Sequence, residues 1–295
     1  MKGRVCLITG ASGGIGLATA RELGRRGAVL RVVGRDAGKL EKAAAEVGGV
    51  PFRADLSSLE QVRALADEVL ARDEPLHVLI NNAGVWHPNL QLSADGFEDT
   101  FAVNYLAPFL LTCLLLPRMR QSEGDRRVVH VSSRLHLHAG QLTRSQGALV
   151  NVLHVIGIEA GGRSARMDFC AIDLHEGYRG LEAYARSKLA QILFSNELAR
   201  REKDVTSNAL HPGSVASDVQ RDSALLSLLA PLARPLLKTT EQGAQTSVYV
   251  AAEPSLSKVS GRYFANRREA EPAAIVHDRD VARRLWELSA ERVGL

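Results

Sequence analysis

Short apolar runs alternate with longer stretches of helical period along almost the whole of this chain. RVCLIT (4–9), AVLRVV (28–33), HVLI (77–80) and RRVVHVS (126–132) carry little of the polar alternation a half-exposed strand would show. VPFRA (50–54), VTSNAL (205–210) and GRYFA (261–265) complete the predicted strands, and helical spacing fills 14–26, 36–47, 58–72, 98–120, 183–201, 241–252 and 279–290. Strands that are apolar throughout and separated by helices are buried on both faces, which means a mainly parallel sheet with helices above and below it. No repeat or low-complexity linker divides the 295 residues, so the expectation is one doubly wound α/β domain over 1–295.

Composition narrows the function classes. With 45% hydrophobic and 24% charged residues the chain can bury a substantial core. The net charge of +4 mildly favours anionic ligands. The arginine doublets at 25–26, 126–127, 200–201 and 267–268 are scattered, with no basic run among aromatics, which argues against nucleic acid. Cys6, Cys113 and Cys170 are odd in number and lack metal-ligand spacing, so neither a disulfide framework nor a metal is expected. The N-terminus shows no leader pattern, and no apolar stretch is read as reaching membrane-spanning length; the nearest approach, ending at Leu237, is broken by Pro231, Arg234 and Pro235. A reducing, cytoplasmic setting is the default expectation.

The first predicted strand runs into Thr9-Gly10-Ala11-Ser12-Gly13-Gly14-Ile15-Gly16 and then into a helix. Gly10 permits a tight turn, while Gly14 and Gly16 let backbone and helix come close to a pyrophosphate. The phosphates would sit at the helix N-terminus, where free amides and the macrodipole favour anions. A glycine triplet alone is a weak signal, but its place between an N-terminal strand and a helix marks a Rossmann-type nucleotide site. At the end of the second strand, Arg35 stands where dinucleotide-binding folds choose between a ribose 2′-hydroxyl and a 2′-phosphate, and its planar fork suits phosphate. NADP(H) is therefore expected ahead of NAD(H). Asp36 is placed to cap the next helix, with Ser12 and Lys39 as secondary contacts.

Tyr184 and Lys188 stand four residues apart on a predicted helix and share a face. A free tyrosine titrates near 10 and is a poor acid or base at neutral pH unless its phenolate is stabilised, which a lysine ammonium one turn away can do. Alone, such a pair is ordinary on a helix surface; with a nucleotide loop in the same domain it acquires a chemical reading.

Together the motifs Thr9–Gly16, Asp55, Asn81-Asn82-Ala83-Gly84, Asn104, Ser132-Ser133, Tyr184/Lys188 and His211-Pro212-Gly213 make the chain resemble the short-chain dehydrogenase/reductase family over nearly its whole length. LINNAGV, FAVNYLAPFLLT, SKLAQILFSNELARR, ALHPG and EQGAQTSVYVA resemble its retinol dehydrogenase-like branch. The resemblance implies an oxidoreductase acting on a small-molecule carbonyl or alcohol. Tyr184 would be the acid/base, Ser133 (with Ser132 the lesser candidate) would bond the reacting oxygen, and Lys188 would lower the tyrosine pKa and hold the ribose. Asn104 would position a water linking Lys188 to solvent. Asp55, beside Leu56, would accept from adenine, and Asn81 to Gly84, with Asn82, Ala83 and Gly84 as contacts, would wall the ribose. Pro212, Gly213 and Val215 would shape the nicotinamide pocket. His211 reads as structural, and His136 and His138 as polar loop residues flanking the substrate side.

Two departures stand out. Ser217 holds a position where the branch usually has a threonine on the cofactor. Ser133 and Tyr184 are 51 residues apart, which points to an insertion at about 139–166. Its apolar centre, ALVNVLHVIGI, is expected to pack on its own subunit and leave a monomer or weak homodimer, much as monomeric carbonyl reductases of the family carry an insertion there. The leucine-rich segment 214–240 implies a lipophilic or aromatic substrate. Non-redox chemistry on the same scaffold and a catalytically silent NADP(H) sensor are the alternatives.

Overall fold

The computed structural model describes residues 1–140, 165–167, 169, 177–215 and 238–295. Within them lies one eight-stranded sheet, ordered β3-β2-β1-β4-β5-β6-β7-β8. Its strands are β1 (Val5–Thr9), β2 (Val29–Gly34), β3 (Val50–Arg53), β4 (Val78–Asn81), β5 (Arg127–Val131), β6 (Thr206–His211), β7 (Tyr263–Ala265) and β8 (Arg268–Glu269). All pair in parallel except β7 with β8. The order runs outward from β1 in both directions, so a crevice opens beyond the carboxyl ends of β1 and β4.

The strand pleat explains why the runs are apolar on every residue. Val5 and Leu7 of β1 join one hydrophobic core, while Cys6 and Ile8 join the other. Leu79 and Val128 face the first core, and Val78, Ile80, Val129 and Val131 the second. Alternate side chains bury on opposite faces, and both faces are covered. Helices α1 (Gly14–Arg25) and α2 (Ala37–Val47) lie on the second face, with the helix Thr240–Ala252. On the first face lie α3 (Leu59–Ala71), α5 (Ala107–Gln121) and α6 (Gly180–Arg201). Asp36 caps α2 through the Lys39 amide at 2.9 Å, as its position suggested. Arg127, a buried cation at the start of β5, is held by Asp125 Oδ1 at 3.0 Å and by the Val250 and Glu253 carbonyls at 2.8 Å. It thus ties β5 to the C-terminal end of the helix we number α7 (Thr240–Ala252).

Three expectations are corrected. The helix expected over 98–120 is not one α-helix: a short α4 (Asp99–Phe101) opens into a π turn over Ala102–Leu106 before α5 begins. The combined run Asp99–Gln121 is, by length and composition, apolar enough to cross a membrane, contrary to the sequence reading; 83% of its apolar window is buried inside the protein, as in a core helix between sheet and neighbours. The strand β8 went unread because two residues are too short to show a period. It closes a hairpin whose connection, Asn266-Arg267, has φ of 51° and 60°, the left-handed pair such tight turns require.

The outer side of α5 and α6 is crossed by the last helix, α8 (Arg279–Val293). Trp286 stands edge-on to Phe109 of α5 at 5.1 Å, lies 5.5 Å from Phe194 of α6, and is roofed by the Arg201 guanidinium at 4.4 Å. Arg63 of α3 reaches the Val293 and Gly294 carbonyls at the end of α8. Most of the insertion expected at about 139–166, from 141 to 164, lies outside the described residues, as do 216–237 with Ser217. Its flanks meet: the Arg166 amide donates to the Ala139 carbonyl at 2.8 Å, and Ala165 and Met167 enter the core beside Ala139. Truncating Trp286 to Ala should cost about 2–4 kcal/mol, the scale of a large aromatic lost from a packed cluster. Urea unfolding checks this, and an unchanged midpoint would show that α8 is not packed as described.

Candidate active site

The turn after β1 is built by contacts only glycine and a small hydroxyl permit. Gly10 and Gly14 have φ of 66° and 54°. A Cβ on Gly16 would stand 2.2 Å from the Gly10 carbonyl oxygen, so α1 presses directly on the turn. Thr9 Oγ1 accepts the amides of Asn82 and Ala83 at 3.0 and 3.1 Å, and Asn82 Nδ2 donates back to the Thr9 carbonyl at 2.8 Å. These bonds lock the ends of β1 and β4 together at the crevice. Gly13 caps α1 without a side-chain acceptor and no acidic residue sits in the first turn, so the free amides there face an anion-ready space.

Around this turn the expected cofactor residues gather. Ser12 packs against Gly34 at the end of β2, where a Cβ would meet its Oγ at 3.1 Å. Arg35 is exposed just beyond, its carbonyl accepting from Arg53 Nε at 3.3 Å. Asp55 accepts the Ser57 amide at 3.0 Å, and Leu56 is buried behind it. Asn81 turns inward, donating to Thr112 Oγ1 at 3.0 Å, so it is Asn82, Ala83 and Gly84 that face the crevice side of the turn. Ile15 and Val215 converge on Gly243, whose missing side chain makes room for both. Gly213, with φ of 97°, has Lys238 against its open side, and Pro212 is buried beside it.

Tyr184 and Lys188 come together as their spacing required. Both lie on α6, and the Lys188 ammonium stands 5.4 Å from the Tyr184 ring centre. Lys188 is buried, and its Nζ donates to the Val131 carbonyl at 3.1 Å and to Gln191 Oε1 at 3.2 Å. Ser133 hydrogen-bonds to Tyr184. Ser132, by contrast, donates to the Lys188 carbonyl at 2.8 Å and so pins α6 to β5. Burial pushes the Tyr184 phenol up to about 12, against the opposing pull of Ser133. Burial likewise brings the Lys188 ammonium down to about 7. Each charged form is disfavoured alone, so a phenolate at Tyr184 needs the ammonium beside it.

Asn104 sits in the π turn, fully buried. Its side chain is spent on protein groups: Oδ1 accepts the Val85 amide at 2.8 Å, and Nδ2 donates to the Val85 carbonyl and Ser187 Oγ, both at 3.0 Å. Its backbone carbonyl is bonded by Gln191 Nε2 at 2.7 Å and so is linked to Lys188 through that carboxamide.

Sequence reasoning missed Gln191 and Ser187, and undervalued His136. His136 is no loose loop residue: it is fully buried, with Nδ1 2.7 Å from the Ser133 carbonyl and Nε2 accepting the Ala273 amide at 3.1 Å. That pairing fixes the neutral tautomer with its proton on Nδ1 and couples Ser133 to the C-terminal region. His211 accepts the Arg134 amide at 3.3 Å, a structural bond beside Ser133. Nothing short of partner geometry could have shown these roles, since a buried and an exposed histidine are the same letter.

Both His136 and the wholly buried His130 have pKa values lowered by burial, to about 4 and about 3. Their unfolded values lie near 6.5. As pH falls below about 6.5 the unfolded chain takes up protons that the folded chain refuses, so stability present above that pH is lost downward toward pH 4. Urea unfolding should show a loss of about 1.4 kcal/mol per pH unit for each of the two groups between pH 6 and 4.5. His130→Phe should remove one share of that slope; a stability flat over this range would show that neither imidazole is held neutral.

Known proteins resemble the chain at every level. A family model described as short chain dehydrogenase matches residues 4–157. Retinol dehydrogenase 12 of Mus musculus is 39% identical over 99% of this chain and 87% of its own length. A solved structure of an uncharacterized protein from Mycobacterium Paratuberculosis covers 99% of this chain and 94% of its own, at 30% identity and a TM-score of 0.72. Another, a protein of Beutenbergia cavernae described as an NAD(P) dependent gluconate 5-dehydrogenase with bound NADP, is 26% identical over 90% of this chain and 96% of its own, with a TM-score of 0.66.

Proposed function

The chain belongs to the short chain dehydrogenase family, with retinol dehydrogenases among its relatives, and from that premise we propose that it is an NADP(H)-dependent oxidoreductase acting on a lipophilic or aromatic carbonyl or alcohol, with Tyr184 as acid/base. One observation carries the reading: a buried lysine held against the ring of a tyrosine that is itself hydrogen-bonded by Ser133, beside a glycine turn shaped for an anion. The donor set fits a dinucleotide. Gly10, Gly14 and Gly16 leave room for its pyrophosphate at the head of α1, Arg35 answers a 2′-phosphate, and Asp55 and Asn82 to Gly84 flank the adenosine. When bound, the nicotinamide supplies or accepts the hydride.

The protein's own part is to hold one oxygen and manage one proton. The Ser133 and Tyr184 hydroxyls converge, so a carbonyl oxygen between them would accept from both. With its phenol raised by burial, Tyr184 keeps its proton across neutral pH and can donate it as negative charge develops on that oxygen. The Lys188 ammonium then offsets the phenolate left behind. In the alcohol-oxidising direction the same hydroxyl, deprotonated, takes the proton back. The lipophilic substrate class is supported by the leucine-rich stretch from Ala224 to Leu229 and by the name of the retinol dehydrogenase relative.

NADPH consumption over a panel of carbonyl compounds tests the reading. Tyr184→Phe should lower turnover by about a hundredfold or more while NADPH still binds, because the ring stays and the proton goes. Parental turnover in that variant would exclude Tyr184 as the acid. For cofactor choice, the parent should prefer NADPH to NADH, and Arg35→Ala should weaken NADPH binding about 10- to 100-fold with little change for NADH. Equal affinities in the parent would refute the preference.

A further inference from the structure

The carboxamide of Gln191 links two groups of the site that lie 84 residues apart in sequence. It is fully buried, one helical turn after Lys188 on α6. Its Oε1 accepts from the Lys188 ammonium at 3.2 Å and its Nε2 donates to the Asn104 carbonyl at 2.7 Å. That carbonyl is available for a covalent reason. In an α-helix it would accept the amide four residues on, but residue 108 is a proline and has no N–H. The chain widens there into its π turn, with the Ala107 amide reaching back five residues to the Ala102 carbonyl.

The two bonds fix which way the carboxamide points. Asn104 offers only a carbonyl, which demands an N–H, so the nitrogen must face the π turn and the oxygen must face Lys188. An ammonium has three protons. One goes to the Val131 carbonyl at 3.1 Å and one to Gln191, leaving a single donor. We infer that Gln191 is a positioning residue for Lys188: oriented by the Asn104 carbonyl, it fixes the ammonium so that its remaining proton is left for the Tyr184 oxygen and the cofactor ribose. The assignment of those last two partners rests on the function proposed above; the hold on the ammonium does not. Besides Gln191, Lys188 meets Tyr184 from its own helix, the Val131 carbonyl from β5 and the Gly84 backbone, where a Cβ would stand 3.3 Å from Nζ and from Asn104 Oδ1 alike. Of these only Tyr184 titrates.

A glutamine that merely filled the core would affect stability and nothing else. A positioning role predicts opposite effects from two substitutions of nearly the same shape. Gln191→Glu places a carboxylate on the ammonium and should raise the Lys188 pKa by about one unit or more; Gln191→Met removes an acceptor and should lower it by about half a unit or more. The full chain, labelled with ¹³C at lysine Cε, reports this by NMR titration, with the Lys188 signal assigned by its loss in Lys188→Met. Opposed shifts of the midpoint establish the role. Midpoints unmoved in both variants, or moved the same way, overturn it. Should Gln191→Met fail to fold, the upward shift in Gln191→Glu decides alone. Neither cofactor nor substrate is needed, so opposed shifts in a protein that consumed no NADPH would defeat the proposed function and leave this inference standing. In an active protein, the alkaline limb of kcat/KM should move in the same two directions.

Discussion

A positive charge taken out of water has to be given acceptors, and much of the sheet's carboxyl edge is arranged around that need at Lys188. The Val131 carbonyl, the last of β5, supplies one, and Gln191 another. Ser132, the next residue along, bonds the backbone carbonyl of the same lysine, so β5 grips both ends of the residue. Once that turn of α6 is fixed to the strand, the turn before it is fixed too, and Tyr184 arrives beside Ser133. The order of events is geometric: the strand end places the lysine, and the lysine places the tyrosine.

The nucleotide side of the crevice obeys a different constraint, the closeness of backbones. Gly16 sits against the Gly10 carbonyl at a distance no side chain allows, and Thr9 uses one hydroxyl to take two amides of the neighbouring loop. The result leaves the first amides of α1 without a side-chain cap. A helix start left open in this way is destabilising until an anion fills it. The stability lost there is the complement of the affinity proposed for the dinucleotide phosphates.

What was legible in the sequence follows from what periodicity can register. Burial of a strand on both faces or of a helix on one leaves a pattern, so every long element could be read, and so could Tyr184 with Lys188, whose spacing is helical. Glycine at a tight turn is equally legible, because few residues can replace it. The π turn was hidden because Asn104 and its neighbours are buried all round, and an apolar run does not reveal how its carbonyls are bonded. Its one signal was Pro108, a residue without an N–H inside a helical pattern. His136 and Gln191 were hidden for another reason: their roles lie in bonds to the Ala273 amide and the Asn104 carbonyl, and backbone atoms leave no letter in the sequence.

The same backbone logic explains why the last helix matters to a site it does not enter. Tyr105 follows Asn104 in the π turn, and its hydroxyl lies 2.7 Å from Ser289 Oγ on α8. Ser289 already donates to the Leu285 carbonyl, so it is Tyr105 that donates to Ser289. Burial raises the Tyr105 phenol far above its ordinary value, and losing the Ser289 hydroxyl would leave that of Tyr105 unpaired in the core. The π turn is therefore held by Gln191 from α6 and by Ser289 from α8, in addition to the bonds of the Asn104 side chain. A helical ladder that has lost its regular bond at Pro108 has several ways to relax, and these contacts together select one of them. In that conformation the Asn104 carbonyl faces the carboxamide that holds Lys188, so residues near the end of the chain bear on how that ammonium is held.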